Sequence, residues 1–122
     1  MEVTKVHYNP ADQITVKAKK KLSAGTFVVA HSEGMSGRTP VVDVAGADAY
    51  PLGVVAHDCE AGDHVTIYRA GHVVDVLATG SIAAGAKVST AASGKVSTAS
   101  NGPVVGIAVS AAASGKVTIA LV

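Results

Sequence analysis

The amino-acid sequence predicts an all-β protein made of two related units. The segment KLSAGTFVV at residues 21–29 recurs as SIAAGAKV at 81–88, and GVVAHDCEAGDHVTI at 53–67 recurs as GIAVSAAASGKVTI at 106–119. The chain also contains 21 Val, and valine favours strands because its branched β-carbon restricts the side chain. Short apolar runs alternate with glycine-containing turns, and no segment has convincing amphipathic-helix periodicity. Together these features indicate a small β-barrel or β-sandwich.

The strands can be placed in order because a turn signal follows most of the apolar runs. These signals are Ser23-Ala24-Gly25, Glu33-Gly34, Ala61-Gly62-Asp63, Ala70-Gly71, Ser93-Gly94, Asn101-Gly102 and Ser114-Gly115. The strands between them are predicted at residues 14–18, 26–30, 41–44, 52–57, 64–69 and 73–77 in the first unit, and at 86–90, 95–98, 104–109 and 116–121 in the second.

Three links between strands carry further information. The motif KVST occurs at residues 87–90 and again, one short link later, at 95–98, which predicts a hairpin. The glycine-rich segment at 34–37 is interpreted as a mobile surface loop, since no helix follows it to offer an anion-binding end. Three alanines at 111–113 can form at most one helical turn before Gly115 ends it.

A chain of 122 residues is expected to form one domain. We predict an extended N-terminal arm at residues 1–13 and a single all-β domain at 14–122, with repeats at about 14–77 and 78–122. The arm has no counterpart in the second unit, so the repeated fold does not require it. This makes the arm a candidate for a separate function.

The predicted core is built from unusually small side chains. The chain has 22 Ala and 13 Gly, and its aromatic residues are Tyr8, Phe27, Tyr50 and Tyr68. Such a core buries less apolar area per residue than one made of leucine and phenylalanine, and oligomerisation is a common compensation.

The charge distribution argues against several classes of partner. The net charge of +1 gives no bulk attraction to nucleic acid, and the basic run at Lys19, Lys20 and Lys21 is more typical of a solvated turn. No apolar stretch is long enough to span a membrane. The opening MEVTKVHYNP lacks an apolar signal core, so synthesis in the cytoplasm is expected.

The residues that invite a catalytic interpretation have the wrong spacing for it. His57, Asp58 and Cys59 are adjacent, and successive strand side chains point to opposite faces, so they cannot converge as a triad. His57, His64 and His72 match no standard zinc pattern, and the single cysteine forms no disulfide within the chain. We therefore expect no catalytic residue, no metal and no cofactor. A metal-dependent enzyme is the third-ranked alternative, which metal analysis would test.

Residues 51–76, PLGVVAHDCEAGDHVTIYRAGHVVDV, resemble the middle of the lambda-type head decoration proteins of tailed bacteriophages. The shared positions are Gly53, Val54, Ala56, Thr66, Tyr68 and Gly71. From about Ile14 onward the chain is also similar to the wider group of small phage capsid cement proteins, which repeat Ala-Gly and Val-x-Gly-x-Ala blocks. Here those blocks are Ala24-Gly25, Ala84-Gly85 and Val105-Gly106-Ile107-Ala108.

The resemblance implies a β-tulip or β-clip-like fold and a homotrimer on the outer surface of the virion capsid. It implies binding to the major capsid protein at local three-fold positions, stabilisation of the shell against internal DNA pressure, and an N-terminal arm that engages the capsid. We predict that the contact includes Val3, Lys5, Val6, Tyr8, Lys19, Lys20 and Lys21, without direct binding of nucleic acid or membrane. The alternative is a small-ligand or carbohydrate-binding β module of a tail or adhesion structure, which would need exposed aromatic side chains along a groove.

Overall fold

A computed structural model describes residues 13–122 and consists of ten short strands with one 3₁₀ turn. The predicted capsid contacts Val3, Lys5, Val6 and Tyr8 lie outside the described residues. The strands are β1 Gln13–Ala18, β2 Phe27–Ser36, β3 Thr39–Val44, β4 Gly53–Val55, β5 His64–Tyr68, β6 Val73–Leu77, β7 Lys87–Thr90, β8 Val96–Thr98, β9 Gly106–Ala108 and β10 Lys116–Leu121. The 3₁₀ turn, Ala92–Gly94, joins β7 to β8. The predicted all-β class and small barrel are confirmed.

The first five strands form a closed barrel in the order β1-β3-β2-β4-β5. Antiparallel pairing joins β1 to β5, and the parallel pair β1–β3 closes the barrel at Lys17 with Val41 and Ala18 with Val42. In β1, apolar and polar residues alternate as a strand with one buried face requires: Ile14, Val16 and Ala18 point into the barrel, whereas Gln13 and Thr15 face solvent. Closure leaves this unit without a free sheet edge.

The second five strands form a sheet in the order β6-β10-β9-β7-β8. Its two outer strands approach each other through a parallel bridge between Ala78 and Val96. That bridge corresponds to the Ala18–Val42 pair that closes the first barrel, because Ala78 follows Ala18, and Val96 follows Val42, by nearly the same number of residues as separates the repeated sequence segments. The second unit therefore repeats the connectivity of the first, with the closing ladder reduced to a single bridge.

Backbone hydrogen bonds repeat between the units residue by residue. Matched bonds are Gly25 N–H to Val55 O (3.0 Å) with Gly85 N–H to Ala108 O (2.7 Å), Leu52 N–H to Val28 O (2.7 Å) with Val105 N–H to Val88 O (2.9 Å), and Lys19 N–H to Val42 O (2.9 Å) with Thr79 N–H to Val96 O (2.8 Å). In this pattern β6 takes the position of β1. The pairing thus groups β1–β5 and β6–β10, whereas the sequence analysis drew the division after residue 77.

Two apolar clusters form the core. One fills the first barrel and includes Val16, Val28, Val42 and Ile67. The other fills the second unit and continues into the junction, where Phe27, Ala45 and Val54 of the first unit join it. The units are therefore held together by side chains that point outward from the first barrel.

The segment at 34–37 is not the loop that its glycines suggested. β2 continues through Ser36, and Met35 pairs with Pro40 and Ser36 with Thr39 beyond a register shift that follows Ala30. Gly34 and Gly37 have φ of +82° and +66°, so glycine here allows a bulge and a tight turn within a hairpin. The loop prediction was wrong because these glycines shape a strand pair instead of interrupting it.

Candidate interaction surfaces

The basic run lies at the end of β1 and is partly neutralised by neighbouring carboxylates. Lys19 Nζ donates to Glu33 Oε2 at 2.8 Å, and Lys20 Nζ lies 3.8 Å from Asp43 Oδ2. The hydrogen bond and positive charge of Lys19 lower the pKa of Glu33. Lys21 is exposed. The three lysines therefore form a charged surface tied to β2 and β3, not a uniform basic patch.

Residues 31–40, here called the hairpin extension, project from the first barrel beyond the Ala30–Val42 pair. His31 to Gly34 form the bulge, in which the N–H of Glu33 donates to His31 Nδ1 at 3.0 Å. Met35 is 45% exposed, and Arg38 is exposed at the tip. No residue of the extension belongs to either core cluster.

The second unit makes the same connection with far fewer residues. Its pair Thr90–Val96 corresponds to Ala30–Val42, and residues 91–95 replace residues 31–41. The short link is packed, because Gly94 is buried and its N–H donates to Ala45 O at 2.8 Å across the junction. A length comparison of the two repeats could have revealed the extension from sequence, but the pattern around its glycines pointed to a loop.

A cleft of about 260 Å³, lined largely by apolar residues, lies between the two units. Tyr50, Pro51, Pro103, Val104 and Val122 lie along it, and buried Phe27 also lines it. Tyr50 is 84% exposed and Val122 is 66% exposed. The exposed side chains of Tyr50 and Val122 make this inter-unit cleft a candidate surface for contact with another molecule.

The His57-Asp58-Cys59 segment has structural roles. Asp58 Oδ1 accepts a hydrogen bond from the N–H of Ala24 at 2.8 Å. Cys59 is buried and exchanges two backbone hydrogen bonds with Leu22, both 3.0 Å long. Burial is the main cause that raises the pKa of the Cys59 thiol, which keeps it protonated and unreactive. The three side chains do not converge on one point.

The described residues offer no assembled metal site. Among residues 13–122, no group of three or more His, Cys, Asp or Glu side chains could hold a metal ion. In the same part of the chain, no helix has the length and apolarity needed to cross a membrane. The features that stand out are therefore surfaces: the lysine run, the hairpin extension and the inter-unit cleft.

Comparison with known proteins identifies the family. No curated protein matches the chain. Among solved structures, the fold is similar to the head fiber gp8.5 N base of bacteriophage phi29, with a TM-score of 0.73 and 23% identity over 90% of this chain and 92% of the other. The family model described as phage cement protein matches residues 6–122, which confirms the resemblance drawn from the sequence. The chain therefore belongs to the phage cement proteins, structural proteins associated with the phage capsid.

Proposed function

We propose that this cement protein binds the outer surface of a phage head at local three-fold positions and holds neighbouring capsomers together against the pressure of packaged DNA. The match of nearly the whole chain to the phage cement family supports this proposal. The partner is the major capsid protein, and synthesis in the host cytoplasm precedes binding to the shell. A protein that binds only the assembled shell stabilises it by linkage, by about 2.7 kcal/mol per site at a free concentration one hundred times Kd.

The binding unit in this proposal is a homotrimer. Two features support it: a core of small side chains, and the inter-unit cleft with its exposed Tyr50, Val104 and Val122. Closed three-fold symmetry would cover such apolar surface on every protomer equally. Trimerisation would also multiply the contacts with the shell, so weak individual contacts would give tight binding.

The N-terminal arm and the lysine run are the proposed shell contact. Val3, Val6 and Tyr8 would act as apolar anchors, and Lys5, Lys19, Lys20 and Lys21 would steer the encounter with an acidic surface. An extended arm can add a strand to an exposed sheet edge, where backbone hydrogen bonds supply affinity. The exposure of Lys20 and Lys21 supports this role. Lys19 contributes less charge, because Glu33 already pairs with it.

Co-sedimentation with phage heads that lack the protein tests the proposal. We expect saturable binding and a higher temperature of DNA release from decorated heads. A matched variant without residues 1–12 should melt almost like the full chain, because the second unit repeats the fold without a counterpart of the arm, but should bind heads weakly. Absence of binding by the full chain would refute the function, whereas full binding by the truncated chain would refute only the arm contact.

The alternative of a carbohydrate-binding module receives little support from the cleft. Sugar recognition would require aromatic rings along a groove, and among residues 13–122 only Tyr50 combines an aromatic side chain with high exposure at this site.

A further inference from the structure

We propose that the hairpin extension is a second contact with the shell, and that its partner is an acidic, partly apolar surface of the major capsid protein. This inference rests on the proposed function and adds a binding element in the described part of the chain.

The fold does not need the extension. The second unit connects Thr90 to Val96 through residues 91–95 and still keeps the matched hydrogen bonds on both sides. The extension contributes no side chain to either core cluster. Since the repeat supplies an internal example of the same fold without this element, stability alone does not explain it.

The extension has a defined shape. Met35 pairs with Pro40 beyond the bulge. The ion pair between Lys19 and Glu33 ties the bulge to the end of β1. A hairpin that is already ordered loses less conformational entropy when it binds than a flexible loop does.

The tip of the extension combines a positive charge that is unpaired within the described part of the chain with an exposed apolar side chain. Lys19 compensates the charge of Glu33, whereas Arg38 has no carboxylate partner among residues 13–122. The Arg38 guanidinium can donate to a carboxylate through two parallel hydrogen bonds. Met35 adds a flexible apolar side chain that adapts to uneven surfaces. This pair fits a surface that combines carboxylates with apolar side chains.

The extension lies near the start of β1, where the arm meets the barrel. β3 begins at Thr39 and runs parallel to β1, which begins at Gln13. The extension and the point where the arm enters the barrel therefore lie toward the same end of the first barrel. Because the arm is the proposed shell contact, one partner can engage both. The inter-unit cleft is the surface assigned above to contacts between protomers, so the extension remains available for the shell.

The chain itself provides a variant that removes the extension. Residues 31–40 are replaced by Ala-Ala-Ser-Gly, the sequence of residues 91–94, and Val41 is kept because it is buried. Circular dichroism and thermal melting report folding, native mass spectrometry reports the oligomer, and co-sedimentation reports binding to heads. Arg38→Glu is the point variant, and Lys95→Glu in the matching link of the second unit is its control.

We expect the grafted chain to fold and keep its oligomeric state but to bind heads at least about tenfold more weakly. Arg38→Glu should show a loss of the same order, and Lys95→Glu should stay within about twofold of the original. If the graft does not fold, the comparison of Arg38→Glu with Lys95→Glu decides the question. Wild-type affinity in the folded graft, or in Arg38→Glu, would overturn the inference. Loss of the oligomer on grafting would also overturn it and assign the extension to contacts between protomers. Failure of the unaltered protein to bind heads would instead refute the proposed function.

Discussion

Adding a methyl group at Gly53 or at Gly106 tests whether the two units share backbone geometry as well as sequence. Gly53 begins β4, and a Cβ placed there would lie 2.6 Å from the carbonyl oxygen of Tyr68 and 3.0 Å from Cδ1 of Ile67. A Cβ at Gly106, which begins β9, would lie 2.9 Å from the carbonyl oxygen of Ala120 and 3.0 Å from Cδ1 of Ile119. The repeated glycines thus face the same kind of obstacle, a backbone carbonyl and an isoleucine on the neighbouring strand.

The cost of Gly53→Ala follows from that contact. The carbonyl belongs to the strand paired with β4, so the backbone must shift, and overpacking of this kind costs about 1–3 kcal/mol. The lower entropy of the unfolded alanine chain offsets about 0.4–1 kcal/mol. Because the obstacle is backbone and lies only 2.6 Å away, the cost should fall in the upper part of that range, about 2–3 kcal/mol, so we expect a net destabilisation of about 1–2.6 kcal/mol and a Tm lower by about 3–12 °C. Gly106→Ala should have the same sign and a smaller magnitude, because its contact is longer.

Thermal melting at fixed protein concentration measures both variants against Gly46→Ala. A Cβ at Gly46 meets nothing within 4 Å, and the φ of Gly46 is not positive, so this control should melt about 1–5 °C above the original protein. A Gly53→Ala protein that melts with the control would refute the close-approach argument. Opposite effects at Gly53 and Gly106 would refute the geometric equivalence of the units.

Three other predictions concern the junction, the thiol and the ion pair. Phe27→Ala should destabilise the fold by about 3–5 kcal/mol in urea melts, since Phe27 is fully buried between the units, whereas Lys87→Ala at the exposed matching position should change stability by less than about 0.5 kcal/mol. Cys59 should react with an aromatic disulfide reagent near neutral pH only slowly until the protein is unfolded, because burial raises its pKa; rapid reaction of the folded protein would contradict its place in the core. The pKa of Glu33, measured by NMR titration, should lie below the usual range for glutamate, and Lys19→Met should raise it. Because folding lowers this pKa, the ion pair stabilises the fold at pH values above the pKa of Glu33 in the unfolded chain. This stabilisation is lost as the pH falls through the pKa of Glu33 in the folded protein.

Sequence reasoning located the strands because alternation and turn chemistry are local signals. The spacing of two residues between Ile14, Val16 and Ala18 is enough to predict that they share one face of a strand, and the matching positions of Gly53 and Gly106 reveal the repeat. The same reasoning failed at residues 34–37, because a glycine with positive φ can end a strand or shape a bulge within one. Local pattern does not distinguish these outcomes; the pairing of Met35 with Pro40 does.

The candidate surfaces were less accessible to sequence reasoning, because they depend on which segments meet. The lysine run was visible as charge, but its link to Glu33 spans 14 residues and required the folded hairpin. The inter-unit cleft joins Tyr50 of the first unit with Val104 and Val122 of the second, and no spacing rule connects them. The predicted contacts in the arm, Val3, Lys5, Val6 and Tyr8, stay predictions.

The differences between the repeats explain how a duplicated unit becomes one molecule with distinct surfaces. Phe27 and Lys87 occupy matching positions at an offset of 60 residues, and the first is buried in the junction whereas the second is exposed. Phe27 therefore forms, with Ala45 and Val54, the outer face of the first barrel that packs against the second unit, and burying the charge of a lysine at this position would be costly. The links between the second and third strands differ in the opposite sense: the short link of the second unit packs into the junction through Gly94, and the long one of the first unit extends into solvent. The first unit thus packs its outer face at Phe27 against the second unit and leaves its long link exposed, whereas the second unit packs its short link and leaves Lys87 exposed. The exposed element of each unit is available for contact with a partner.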